Sequence, residues 1–114
     1  MIKIFKTFGG YNEIEKPQKN CWINVTSPIQ SEIEQLTKQF NLPNDSINDI
    51  LDIDERPRIE FEDDYTLVIL RIPVEAFNNG VPFHTIPLGI FITNDFTLSI
   101  CMQDNEVLPV GQPS

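Results

Sequence analysis

The sequence predicts an α+β fold: a mixed sheet of about six strands, with two helices inserted between the early strands. Three observations point there. Short runs near both ends alternate apolar and polar residues, the period of a strand. Between them Ile29, Ile33, Leu36 and Phe40 recur at i, i+4, i+7 and i+11, the stripe of an amphipathic helix. Residues 65–72 are nearly all apolar, as in a strand covered on both faces. Two helices cannot cover both faces of such a sheet. The prediction is therefore a layered domain with part of its helical cover missing.

Residues 1–8 carry Ile2, Lys3, Ile4, Phe5 and Lys6 in alternation, a first strand that Gly9-Gly10 breaks. Residues 11–20 are polar, contain Pro17 and read as a loop. Residues 21–25 form a short buried strand. Ser27 is the expected N-cap of the first helix, with Pro28 in its first position and Gln30 completing a capping box. Asn41 marks its end and Pro43 separates a second helix over residues 44–52, with Ile47, Ile50 and Leu51 on its apolar face. Residues 58–62 alternate strictly, with Ile59 and Phe61 expected to face inward. Asp63-Asp64 turns the chain into the strand of residues 65–72. Asn78-Asn79-Gly80 is a loop by its turn chemistry. Residues 86–93 and 96–102 form a second hairpin about Asn94-Asp95. Residues 1–104 are read as the domain. Residues 105–114 are read as a truncated tail leading to absent helical and transmembrane regions, so part of the cover is expected beyond Ser114 or in a partner subunit.

Composition narrows the function. The 114 residues hold 17 acidic and 8 basic side chains, a formal charge of −9. Nucleic-acid binding needs lysine and arginine against phosphate, so DNA and RNA are excluded as partners. An anionic membrane surface repels such a chain. No apolar run approaches the ~18 residues of a spanning helix, and residues 1–8 lack the core of a signal peptide. The chain as given is expected to be soluble and cytosolic. Cys21 and Cys101 lie in apolar runs with no C-x-x-C pair, and read as buried, reduced thiols.

The strongest local feature is acidic. Residues 45–64 hold nine of the 17 carboxylates. At 100° per residue, Asp45, Asp49 and Asp52 share the exposed face of the second helix. Hard divalent cations bind such oxygens, and a solvated helix face carries the same pattern. An EF-hand beginning at Asp52 fails, because Pro57 stands where that loop needs glycine. A catalytic carboxylate pair would need one member in apolar surroundings, and no residue marks one. His84, the one histidine, has no ligand partner nearby and reads as an ordinary surface residue. There is no phosphate-binding glycine loop. Arg56-Pro57-Arg58 reads as an architectural corner, with the arginines pairing to neighbouring carboxylates.

These segments, in order, resemble the N-terminal cytosolic domain of the CorA family of magnesium and cobalt transporters. Trp22-Ile23-Asn24-Val25 resembles the family's Trp-Ile-Asn/Asp strand. Asn48-Asp49-Ile50-Leu51 is similar to its Glu-Asp-Ile-Leu, and Arg56-Pro57-Arg58-Ile59-Glu60 to its Arg-Pro-Lys-Val/Ile-Glu. Residues 65–70 and 90–98 resemble the strand and late hairpin that follow. The resemblance implies the cytosolic regulatory and assembly domain of a homopentameric divalent-cation channel, on the cytoplasmic side of the cell membrane, with cations bound between identical subunits. It implies magnesium as the regulatory ion, with cobalt or zinc as alternatives, and no enzymatic activity. It places a metal-binding aspartate at Asp49; Asp45 and Asp52 join it as candidates on geometry alone. Asn48 departs from the family's acidic residue. The long helix that supplies the partner carboxylate, both transmembrane helices and the Gly-Met-Asn pore signature are missing from the sequence, so this chain alone is not expected to transport. Two rival readings stand beside this one: a free-standing acidic protein-interaction module, and a carboxylate-based enzyme.

Overall fold

The structure, a computed structural model, describes residues 1–6, 12–75 and 83–103. Its elements are β1 (Ile2–Lys6), β2 (Asn12–Ile14), β3 (Cys21–Thr26), α1 (Gln30–Gln39), α2 (Asn44–Ile50), β4 (Arg58–Phe61), β5 (Thr66–Glu75), β6 (Phe83–Ile92) and β7 (Phe96–Cys101). The loop expected at Asn78-Asn79-Gly80 and the tail 105–114 lie outside the described residues.

All seven strands join one sheet in the order β2-β1-β3-β7-β6-β5-β4. β3 and β7 run parallel and every other pair antiparallel, so the sheet is mixed as the sequence predicts. The strand beyond the expected six is β2, read above as loop. It has three residues and pairs with the outer edge of β1, Ile14 opposite Ile4. A strand this short and polar shows almost no alternation to read.

The start of α1 corrects the expected cap. Ser27 has φ 46°, in the left-handed region, and its N–H donates to Cys101 O at 3.0 Å. That bond carries the β3–β7 ladder one residue further and delays the helix. Ile29 takes the extended N-cap conformation instead, and its N–H donates to the Glu32 carboxylate at 3.1 Å. Glu32 thus takes the reciprocal role expected of Gln30, and Ile29 drops off the helical stripe into solvent. Ile33 and Leu36 are buried as expected. At the far end Asn41 adopts φ 53°, a left-handed exit that asparagine tolerates well.

Cross-strand register separates two faces of the sheet, because directly paired residues point the same way. On one face Ile23, Leu98, Phe91 and Leu67 line up across β3, β7, β6 and β5. With Ile33, Leu36, Ile47 and Ile50 of the helices they form the main core. Gly89 lets α2 settle there: a methyl group added at Gly89 would overlap the Ile50 side chain.

The opposite face is divided. Ile72, Val74, Ile86, Leu88 and Cys101 form a second buried cluster. Trp22, Asn24, Thr26 and Ser99 are also buried on this side. Trp22 Nε1 donates to Ser99 Oγ at 2.9 Å, and Ser99 Oγ donates to Asn24 Oδ1 at 2.6 Å, across the one parallel strand pair. Toward β4 the apolar side chains open to solvent: Ile59, Phe61, Leu70 and Ile92 are 58%, 80%, 43% and 45% exposed. The expectation that Ile59 and Phe61 face inward is therefore corrected. The period is right and the phase is reversed. Arg58 pairs with Ile69 and Glu60 with Leu67, so the charged residues of β4 take the helix side.

Candidate cation-binding corner

That reversal builds the corner where the candidate residues sit. Seven residues make α2, and Asp45 and Asp49 lie four apart on it, neighbours on one face. Asp45 is exposed and Asp49 half-exposed. The helix ends at Ile50, with Leu51 as its C-cap, earlier than the sequence suggests. Asp52 consequently leaves the helical stripe. Its Oδ1 accepts the N–H of Asp54 at 3.0 Å in the turn that follows.

Arg58 is the centre of the corner. Its Nη2 donates to Asp49 Oδ2 at 3.0 Å and its Nε to Glu60 Oε2 at 3.1 Å. Its Nη1 donates to Glu55 Oε1. Burial disfavours the guanidinium charge, but Glu60, Glu55 and Asp49 outweigh it, and the arginine pKa is held above its ordinary value. The corner is thus architectural, as its sequence implies, with Arg58 as the anchor. Arg56 forms no ion pair found among the described residues.

Arg71 supplies a second anchor that the sequence reading missed. Its Nη1 donates to the carbonyls of Ile53 and Glu55 at 3.0 and 2.7 Å. Its Nε and Nη2 donate to Thr85 Oγ1 and Thr85 O, fixing the guanidinium over β6. The available signal was a lone arginine inside an otherwise apolar strand. Together Arg58 and Arg71 hold the segment between α2 and β4.

Chemically, the corner offers hard oxygen donors. Among the described residues no group of three or more His, Cys, Asp or Glu side chains is placed to hold a metal ion. His84 is exposed, and both cysteines are buried. Open hollows occur beside Ile2, Ile4 and Ile14 and beside Cys21 and Phe96, away from the acidic corner. No helix among the described residues is long and apolar enough to cross a membrane.

The family model for the CorA-like Mg2+ transporter protein matches residues 17–110. The chain belongs to the CorA family. A cobalt/magnesium transport protein CorA from Methanocaldococcus jannaschii is 32% identical over 91 residues, covering 80% of this chain and 27% of that protein. The solved soluble domain of CorA from the same organism superposes with a TM-score of 0.77 at 23% identity, over 92% of this chain and 42% of that one. The ZntB cytoplasmic domain from Vibrio parahaemolyticus gives 0.66 at 14% identity, over 90% and 44%. The chain thus has the fold of the CorA soluble domain and spans about a quarter of the curated relative's length. CorA proteins form a transporter family rather than an enzyme family.

Proposed function

We propose that this chain is the cytosolic regulatory and assembly domain of a CorA-type divalent-cation channel. On this reading it responds to magnesium bound between identical subunits of a homopentamer, and it performs no catalysis. Conduction belongs to membrane-spanning parts of the full-length protein. The observation that carries the reading is the placement of Asp49: a half-exposed carboxylate on α2, beside exposed Asp45, in a corner braced from behind by Arg58 and Arg71.

The donor set fits a hard divalent cation, because only carboxylate oxygens are offered. It fits as half of a site. Asp49 would supply the direct oxygen, Asp45 a neighbouring charge, and Asp52 a peripheral one from the turn. Magnesium keeps much of its hydration shell, so one carboxylate and waters hold it weakly until a second subunit contributes. Cobalt and zinc are alternatives for the same oxygens. A cation bridging two subunits favours the conformation in which they lie together, and so shifts the gating equilibrium. The open half of the second sheet face supports the assembly role. Ile59, Phe61, Leu70 and Ile92 form an apolar patch of the kind that a further segment or subunit covers.

Sedimentation velocity with and without millimolar magnesium tests this. It is run on this chain and on a chain extended by the helical segment of a CorA-type protein. Magnesium-dependent assembly of the extended chain, lost in Asp49→Asn, supports the intersubunit site. Indifference of both chains to magnesium reduces the acidic helix to a solvated face.

A further inference from the structure

β4 ends the sheet, and its outer side has no neighbouring strand among the described residues. Antiparallel ladders alternate bonded and non-bonded residue pairs. Glu62 N–H donates to Tyr65 O at 2.9 Å, so Glu62, Glu60 and Arg58 are the residues whose backbone groups turn toward β5. The N–H and C=O groups of Ile59 and Phe61 therefore point outward. The side chains of these same two residues stand exposed on the open face, in one patch with Leu70 and Ile92. An added strand would find backbone partners and apolar side chains at the same two positions. The alternate positions of this edge, on the helix side, are acidic. Glu60 and Glu62 flank Phe61, and Asp63 and Asp64 follow before β5. The cation of β4, Arg58, is already met by Asp49, Glu55 and Glu60.

We propose that β4 is a docking edge for an extended segment of another protein in which apolar and basic residues alternate. The added strand completes the outward hydrogen bonds of Ile59 and Phe61 and lays its apolar side chains beside theirs. Its basic side chains then fall on the opposite face, against Glu60 and Glu62. Charge decides against the other occupants. A second copy brings a second acidic edge, in chains of formal charge −9 each, and like charges opposed across strands destabilise the pairing. The segments outside the described residues, 7–11, 76–82 and 104–114, contain no lysine or arginine, so none of them supplies the basic positions. The other edge, β2, has three residues, Asn12, Glu13 and Ile14, and lacks this alternation of apolar and acidic positions. Strand addition at β4 neither uses nor requires a cation at Asp49.

The test is an NMR titration of the chain with an end-blocked peptide of alternating lysine and valine, following the amides of residues 58–62 and of β2. Saturable shifts centred on Ile59 and Phe61, with β2 unmoved, are expected. Methylating the peptide nitrogens on its pairing edge removes the donors of the new ladder and keeps every charge. It is expected to weaken binding roughly tenfold or more. Glu62→Gln alters an exposed carboxylate outside the ion pairs of Arg58 and is expected to weaken binding roughly two- to fivefold. Ile59→Pro removes an outward N–H that β5 does not use, a change an edge strand tolerates, and should abolish the shifts. If that variant does not fold, the methylated peptide decides. Equal binding of the parent and methylated peptides would overturn the proposal, leaving charge attraction alone. Equal binding of an alternating glutamate–valine peptide would overturn its basic selectivity. Shifts at Ile59 and Phe61 that grow with chain concentration, without peptide, would overturn it in favour of a second copy. Unmoved β4 amides at peptide excess would overturn it outright. The magnesium response of Asp49 is read in a separate titration, so the two readings fail separately.

Discussion

The two faces of the sheet are made by the same strands and reach opposite ends. On the helix side, Ile23, Leu67, Phe91 and Leu98 are sealed from water by α1 and α2. On the other side, burial fades from the Trp22–Ser99–Asn24 relay toward β4, where Ile59 and Phe61 stand in solvent. The contrast teaches which part of the domain the described residues stabilise by themselves. The helix side is a finished core. The β4 end of the other side leaves Ile59, Phe61, Leu70 and Ile92 open to solvent, while charge at its rear holds α2.

Truncating the same residue type on each face should separate them most. Phe91→Ala removes a fully buried ring packed edge-on against Tyr65 and is expected to cost about 3–5 kcal/mol in urea unfolding. Phe61→Ala, at 80% exposure, should change stability by less than about 0.5 kcal/mol. Equal losses would mean that the open face is closed in solution.

A gentler strike at the finished core is Gly89→Ala. The added methyl collides with Ile50 and should cost about 1–3 kcal/mol. Ile50→Ala in the same chain should recover part of that penalty, placing the loss at the α2–sheet contact. On the other face, Ser99→Ala removes the oxygen that accepts from Trp22 and donates to Asn24. A loss of about 1–2 kcal/mol is expected, with a change in tryptophan fluorescence, because buried polar groups lose their partner.

The smallest effect belongs to Glu32. Its pKa is lowered by the Ile29 N–H, with the N-terminal amine of Met1 adding to it. A depressed carboxylate pKa stabilises the fold above the ordinary value of 4.5, and that contribution is lost as pH falls through the lowered native value. Glu32→Gln should therefore cost under about 1 kcal/mol at neutral pH and flatten the acid limb of the stability profile.

Much of this was legible in the sequence. Period 2 and period 3.6 located β1, β3 to β7 and both helices, and ordered motifs located the family. Phase was less legible than period. Ile59-Glu60-Phe61 alternates in either orientation, and what decides between them is Arg58, whose partners Asp49 and Glu55 lie on the helix side. Sequence places Asp52 on a helical stripe, but the helix stops at Ile50, because helix ends depend on local hydrogen bonds that periodicity does not report. Ser27 looked like a cap until the β3–β7 ladder claimed its N–H. The ion pair between Asp49 and Arg58 joins an acidic helix to a strand nine residues on, and no local pattern announces it.

The central claim is that the Asp49 corner responds to a divalent cation. Amide hydrogen exchange of the chain in increasing magnesium tests it most directly. The account predicts added protection confined to residues 44–60, absent in Asp49→Asn, with β3 and β7 unchanged. No change in that segment, or the same change in Asp49→Asn, would contradict it.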